Sequence, residues 1–193
     1  PKAILLVIHG LAEHSGRYSN LVNHFVPKGY AIYGYDQQGH GKSEGLRGYI
    51  DKFSDYLDDL KVFVDMIRSE PGDTKVFLLG HSVGGTIATA YAVEHQSELA
   101  GLILSAPTLK VGSSVSRLNI VMARVLSALL PKIGIAVIDA SAISRDKAVV
   151  EAYVSDPLVY RGKIRARLGS ELVNVMEKKL PPQMPELHLP VLI

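Results

Sequence analysis

Residues 76–85 read VFLLGHSVGG. The first four are apolar and typical of a buried strand, and the small residues after the serine begin a predicted helix. Between the two, residues 80–84 match the pattern G-x-S-x-G, which in a strand–turn–helix setting holds a serine on a sharp, strained turn. We therefore predict that Ser82 is a nucleophile above a helix N-terminus, where negative charge is favoured. The alternative is a serine that only caps the helix.

Apolar runs and amphipathic segments alternate on both sides of this turn. This order predicts an α/β fold with a parallel sheet and right-handed crossovers. Such sheets place their sites at the carboxyl ends of the strands. Strands are predicted at 3–8, 30–35, 76–79 and 102–105, and helices at 18–25, 53–67 and 84–95.

The alternating pattern stops at Pro107. No convincing strand follows until residues 189–193, which look like the beginning of another buried strand. We therefore divide the chain into the N-terminal part of a core (1–107), a helical cap or lid over the carboxyl edge of the sheet (108–188), and the start of the next core strand (189–193).

Part of the predicted cap is strongly apolar. Residues 118–130 form a helix that is apolar nearly all round, with a narrow polar stripe of Arg117, Arg124 and Ser127. Such a helix either packs inside the cap or lines an acyl tunnel and docks transiently on membranes, and the two interpretations are compatible. A later basic cluster is either a solvated face or attracts anionic headgroups. It consists of Arg161, Lys163, Arg165 and Arg167.

Composition excludes several classes of function. The 193 residues carry 21 Lys+Arg against 19 Asp+Glu, a balance that gives no indication of nucleic-acid binding. With no cysteine, disulfides, thiolate metal sites and cysteine nucleophiles are excluded. No apolar stretch reaches the length of a spanning helix, and the first residues lack a signal-peptide layout. We expect a cytoplasmic protein, with peripheral membrane association left open, and neither a metal nor a cofactor.

A nucleophilic serine that transfers acyl groups also needs N–H donors aimed at the developing oxyanion. One donor is expected from Val83, directly after Ser82. The other is expected from the loop after an earlier strand, where Leu11 follows His9 and Gly10. The alternative is that His9 and Gly10 merely end the first strand.

Four segments resemble the monoacylglycerol lipases of the α/β-hydrolase superfamily: HGLAEHSGRY (9–18), DQQGHGKSEG (36–45), GHSVGG (80–85) and YVSDPL (153–158). They occur in the family's order, and the resemblance runs over essentially the whole chain. It implies an α/β-hydrolase fold with a helical cap insertion. It also implies hydrolysis of a single fatty acyl ester from glycerol through a Ser–Asp–His triad, with a lipid ester as substrate.

The same resemblance implies a polar pocket for the glycerol end of the substrate, formed with the help of Glu13 and Arg17. Tyr153 is a further candidate contact. The alternative for Glu13 and Arg17 is an ion pair that only fixes the loop.

The chain departs from the family in its ends. The family's acid and histidine come after the strand that begins here at 189, whereas the last histidine, His188, precedes it. The family's opening strands would precede Ala3. We therefore expect an incomplete fold that is part of a longer hydrolase. The isolated chain would lack the triad acid and histidine and be inactive, because a serine hydroxyl needs a neighbouring proton acceptor.

Two other functions remain open from the sequence. One keeps the acyl-enzyme chemistry at Ser82 but changes the leaving group, which gives a lysophospholipase or a general carboxylesterase. The other is a non-catalytic binding module built on the hydrolase fold.

Overall fold

The computed structural model describes residues 1–112 and 115–193. The strands are β1 (Ile4–Ile8), β2 (Ala31–Gly34), β3 (Val76–His81), β4 (Gly101–Ser105), β5 (Gly134–Ala136), β6 (Ile164–Arg165) and β7 (Val191–Leu192). The helices are α1 (Ser19–Phe25), α2 (Phe53–Ser69), α3 (Val83–His95), α4 (Arg117–Leu129), α5 (Lys147–Ser155), α6 (Ala166–Asn174) and α7 (Leu180–Gln183), with a π-helical turn (Val175–Lys179) between the last two.

Among the described residues, five strands form one parallel sheet in the order β2-β1-β3-β4-β7. The predicted α/β class is confirmed. The register places Ile8 opposite Gly80, and His81 opposite Ser105. The chain therefore leaves β1, β3 and β4 at one edge of the sheet, and the loops after these strands meet there.

The sheet is buried because its central strands are apolar on both faces. All five residues of β1 are buried, as a parallel strand requires. Helix α3 is buried from Val83 to Val93, and its many small residues let it lie directly on the sheet. Helix α2 packs beside α3 through one apolar stripe. That stripe consists of Phe53, Tyr56, Leu60, Val64 and Ile67.

The segment 108–188 differs from the sequence prediction in two ways. First, it contains strands: β5 and β6 pair in an antiparallel two-stranded sheet. They are three and two residues long, which is too short for an alternation of apolar and polar residues to be recognised in the sequence. Each strand also pairs with a partner that is distant in sequence. Residues 113 and 114 of the predicted cap lie outside the described part of the chain.

Second, part of the polar stripe of helix α4 faces the rest of the protein rather than solvent. Ser127 is buried, and α4 packs against α6. Arg124 instead reaches Glu177, with 2.9 Å between Nη2 and Oε2. The face that α4 turns to solvent is apolar. It comprises Leu118, Val121, Met122, Val125 and Leu129.

Hydrogen bonds fasten segment 108–188 to the loops at the carboxyl edge of the sheet. Tyr160 donates its backbone N–H to Ala12 O at 2.9 Å, and Arg165 donates its N–H to Gly48 O at 2.9 Å. Glu171 accepts from the backbone N–H of Phe53, the first residue of α2, at 3.0 Å. The segment therefore lies over the strand ends where Ser82 emerges.

None of the helices in the described ranges, 1–112 and 115–193, has both the length and the apolar character needed to cross a membrane.

We predict that Gly84→Ala strongly destabilises the protein. A Cβ at Gly84 would overlap the carbonyl oxygens of Ile8 and His9, which are backbone atoms and cannot move aside. The free energy of unfolding, measured with urea, should fall by more than ~2 kcal/mol.

The matched control is Gly169→Ala in α6. There a Cβ would meet only the end of the flexible Ile135 side chain, at 3.1 Å. Alanine is also the better helix former by about 1 kcal/mol. This variant should stay within ~1 kcal/mol of wild type, and an equal loss in both variants would show that the close packing of Gly84 is not decisive.

Candidate functional site

Ser82 occupies the strained turn between β3 and α3. Its φ of 51° and ψ of −119° lie where residues with a side chain are rare. The turn closes tightly enough that a Cβ on Gly80 would come within 2.5 Å of Gly84 O. The structure thus has the backbone geometry of a nucleophile elbow, with the serine hydroxyl presented at the N-terminus of α3.

The loop after β1 lies against this turn. A Cβ on Gly10 would lie 2.9 Å from Glu13 Oε1 and 3.3 Å from Ser82 Cβ, so a larger residue would be crowded at this position. The next residue, Leu11, and Val83 both line the cavity in front of Ser82. Val83 is the first residue of α3, so its N–H has no acceptor within the helix. These positions suit two oxyanion donors, although the roles of Leu11 and Val83 remain predictions.

Glu13 holds the loop in this position. Its Oε1 accepts hydrogen bonds from Gly10 N–H at 2.6 Å and from the Tyr18 hydroxyl at 2.7 Å. Its Oε2 accepts from Arg17 Nε at 3.1 Å. Burial, together with the Glu13 carboxylate, raises the pKa of Tyr18, so its hydroxyl stays a donor. Because Gly10 precedes Leu11, this carboxylate fixes the peptide next to the proposed oxyanion donor.

Arg17 bridges this loop and α5. Its guanidinium carbon lies 4.8 Å from the centre of the Tyr153 ring, a cation–π distance. Tyr153 itself is buried, and burial raises the pKa of its hydroxyl. Since the Nε–H of Arg17 is engaged by Glu13, its two terminal amino groups carry the remaining donors. Glu13, Arg17 and Tyr153 all line the same cavity, so the structure brings the predicted substrate contacts together.

The cavity in front of Ser82 measures about 640 Å³, within the usual range for small-molecule sites. Its polar lining residues include Glu13, Arg17 and Thr108. Helix α4 does not line it, so the interpretation of residues 118–130 as a tunnel wall is wrong. The apolar wall comes instead from later parts of segment 108–188. It includes Ile138, Ile143, Val149, Tyr153, Leu172 and Met176.

Two buried histidines support the loops from behind. His9 Nε2 accepts from Gln37 N–H at 2.9 Å, which leaves Nδ1 to donate to Gly10 O at 2.8 Å. The His40 ring lies 5.4 Å from that of His9. Burial lowers the pKa of His9. Burial also lowers the pKa of His40 to about 4, and the repulsion that would arise if both rings were protonated adds to this effect. Both are therefore neutral structural residues at pH 7.

The sequence interpretation missed the contact that His14 makes with segment 108–188. His14 Nε2 lies 2.8 Å from Asp156 Oδ2. Asp156 also accepts from the N–H of Leu158 at 2.9 Å. The two residues are 142 positions apart in the sequence. His14 lies in segment 9–18 and Asp156 in segment 153–158, which resemble the same family. This shared resemblance was the only sign in the sequence that the two residues meet.

Ser82 Oγ has one polar side-chain neighbour among the described residues, the Thr108 hydroxyl at 3.3 Å. No histidine or carboxylate of residues 1–112 or 115–193 hydrogen-bonds it. The ring of His81 is turned toward β4, with Nδ1 3.0 Å from Ser105 O. The same residues hold no group of three or more histidine, aspartate or glutamate side chains suited to a metal ion.

We predict that acid destabilises the protein through these buried histidines. The pKa of His40 is about 4 in the folded state, against about 6.5 in an unfolded chain. Between these values only the unfolded state takes up the proton, so stability falls as the pH drops from 6.5 to 4. The loss from His40 alone is at most about 3 kcal/mol.

Urea unfolding at pH 7.5, 6, 5 and 4.5 measures this slope. His40→Gln should flatten it, whereas His188→Gln, which alters an exposed histidine, should leave it unchanged. An identical slope in wild type and His40→Gln would contradict the prediction.

The sequence is similar to known proteins over its whole length. The family model described as "Serine aminopeptidase, S33" matches residues 1–193. A monoacylglycerol lipase of Mycolicibacterium smegmatis is 33% identical over 193 residues, which cover all of this chain and 69% of the relative. The monoglyceride lipase of Mus musculus is 36% identical over 194 residues, which cover all of this chain and 64% of the relative.

A solved structure is also similar to this chain. The crystal structure of a monoacylglycerol lipase from Paleococcus ferrophilus matches with a TM-score of 0.87 and 29% identity, over 97% of this chain and 70% of that one. The chain thus spans 64% of the mouse relative's length and 69–70% of the other two.

Proposed function

The chain belongs to the serine aminopeptidase S33 family, within the α/β-hydrolases, and on this premise we propose that it is a serine ester hydrolase of monoacylglycerols. The observation that carries the proposal is Ser82 itself. It sits on a strained elbow and lines a cavity whose walls are mainly apolar and include Arg17.

In the proposed reaction, Ser82 Oγ attacks the acyl carbonyl carbon and its proton passes to a general base. The carbonyl oxygen becomes an oxyanion between the N–H groups of Leu11 and Val83, where donors of this kind contribute about 10²–10³ in rate. The C–O bond to glycerol then breaks, the base returns the proton to the departing alcohol, and water hydrolyses the acyl-enzyme by the same route.

The described residues do not include a general base in contact with Ser82. Within the described residues the Ser82 hydroxyl contacts Thr108 and neither a histidine nor a carboxylate. We propose that the histidine and acid of the triad lie outside residues 1–193 and that these residues alone are inactive. Comparing ester hydrolysis by residues 1–193 with that by the entire reading frame tests this point.

Charge and shape favour a monoacylglycerol over a triacylglycerol. The apolar wall from segment 108–188 suits one acyl chain, and the terminal amino groups of Arg17 suit the two free hydroxyls of glycerol. Glu13, with both oxygens engaged by the loop, contributes mainly by holding Arg17 in place. A triacylglycerol lacks the hydroxyls and would leave the Arg17 donors in the cavity unpaired, and sites built to bind hydroxyls reject such analogues strongly.

The outward apolar face of α4 suggests how a membrane-dissolved substrate is reached. Leu118 and Leu129 are 69% and 73% exposed, at opposite ends of one helix face. We propose that segment 108–188 is a cap that docks transiently on membranes through this face. Arg117 and Lys132 lie next to the ends of the face in sequence, where anionic headgroups would attract them.

Ser82→Ala should abolish hydrolysis, because the described residues offer no other serine on an elbow. Only one hydroxyl is lost, so the fold should survive, as judged by circular dichroism and thermal unfolding. A control at an exposed helix hydroxyl, Ser54→Ala, should retain full activity. Ester hydrolysis above a few per cent of wild type in Ser82→Ala would place the nucleophile elsewhere.

Arg17→Ala should reduce hydrolysis of a monoacylglycerol more than that of the ethyl ester with the same acyl chain. The ethyl ester has no glycerol hydroxyls, so it cannot use the lost donors. We expect the ratio of the two kcat/KM values to fall by about 10-fold, the worth of one charged hydrogen bond. Arg124→Ala, which breaks the surface pair with Glu177, is the matched arginine control.

An unchanged ratio in Arg17→Ala would mean that Arg17 only fixes the loop. A lysophospholipid of equal chain length in the same assay examines the leading alternative substrate class. No labelling of wild type by a fluorophosphonate would favour the non-catalytic binding module.

A further inference from the structure

Thr108 is placed against the nucleophile by the elbow itself. Its backbone N–H donates to Ser82 O at 3.0 Å, and its backbone carbonyl accepts from the Thr86 hydroxyl at 2.5 Å. Two residues earlier, Ala106 has a φ of 44°, a left-handed conformation that turns the chain after β4 back toward Ser82. Both backbone groups of Thr108 are thus tied to α3 or to the turn before it.

This anchoring aims the threonine hydroxyl at the reacting atom. Thr108 Oγ1 lies 3.3 Å from Ser82 Oγ, and both residues line the cavity. Threonine is branched at Cβ, so few rotamers are open to it and little freedom is lost in holding this contact. Sequence patterns give no indication of such a role, because Thr108 simply follows an Ala-Pro pair after a strand.

We infer that Thr108 is a further catalytic residue, which donates a hydrogen bond to Ser82 Oγ. The inference rests on the proposed function. The serine hydroxyl has one proton and two lone pairs. For attack, the proton must point to the base and one lone pair to the acyl carbon. A donor on the second lone pair selects this orientation over those in which the proton points elsewhere.

The distance indicates when the contact matters most. Hydroxyl pairs are typically about 2.7–2.8 Å apart, so 3.3 Å is a weak bond in the resting enzyme. As the proton of Ser82 leaves for the base, negative charge develops on Oγ, and hydrogen bonds to charged oxygen are shorter and stronger. An interaction that strengthens in the transition state raises kcat rather than substrate affinity. The Thr108 O–H bond stays intact throughout, so no proton is transferred from it.

The test uses Thr108→Val, which removes the hydroxyl and keeps the branched shape, in protein expressed from its entire reading frame. The rate constant for inactivation by a fluorophosphonate should fall about 5- to 10-fold, the worth of one hydrogen bond. For a monoacylglycerol, kcat should fall by a similar factor with KM within twofold of wild type. Thr108→Ser keeps the hydroxyl, so its inactivation rate constant and its kcat should both stay within twofold of wild type.

Thr89→Val is the matched control. Thr89 is a buried threonine of α3 whose hydroxyl donates to Gly85 O at 2.7 Å, and it does not line the cavity. This variant loses the same group and should lower stability without slowing inactivation. If Thr108→Val does not fold, Thr108→Ser and Thr108→Ala differ by the hydroxyl alone and give the same comparison.

The outcomes separate the two proposals. Wild type that is not labelled at Ser82 overturns the proposed function. Wild type labelled at Ser82, with equal rates in Thr108→Val, overturns the role of Thr108. Failure of Thr108→Ser to restore the rate also overturns it, because the methyl group rather than the hydroxyl would then be what matters.

Discussion

The strained turn at Ser82 is the constraint on which the rest of the site depends. A φ of 51° in a residue with a side chain costs about 1–3 kcal/mol and persists only if the surroundings enforce it. Here the enforcement is close backbone packing, in which Gly84 lies against the carbonyls that end β1. The same contact fixes the distance between β1 and α3, and therefore between the Leu11 loop and the serine.

A second constraint holds the opposite side of the site. Glu13 ties Gly10, Tyr18 and Arg17 to one carboxylate, so the loop that carries Leu11 and the Arg17 cation in the cavity are fixed together. His14 extends this fixation to segment 108–188 through Asp156. One short stretch of chain after β1 thus connects the sheet, the nucleophile and the segment above them. Glu13 acts on the site mainly by fixing the positions of these neighbours.

Much of this could be predicted from the sequence, because local rules govern the central elements. The run from Val76 to Leu79 and the G-x-S-x-G that follows specify strand, turn and helix within a dozen residues. The amphipathic spacing of residues 53–67 also predicted helix α2. In each case the interacting residues are close in sequence or follow a regular period.

The sequence was less informative where partners are distant. Strands β5 and β6 are too short to show a period, and no local pattern indicates that the polar Ser127 is buried. The contacts of Ser82 with Thr108 and of His14 with Asp156 join residues that no local rule relates. Their geometry is set by the tertiary fold.

The central claim, that Ser82 attacks while Leu11 and Val83 hold the oxyanion, is tested most directly by a crystal structure of the fluorophosphonate-inactivated protein. The tetrahedral phosphorus mimics the intermediate of ester hydrolysis. We predict a bond from phosphorus to Ser82 Oγ, with the phosphonyl oxygen about 2.7–3.1 Å from the backbone nitrogens of both Leu11 and Val83. An adduct on another residue, or a phosphonyl oxygen pointing away from both amides, would contradict it.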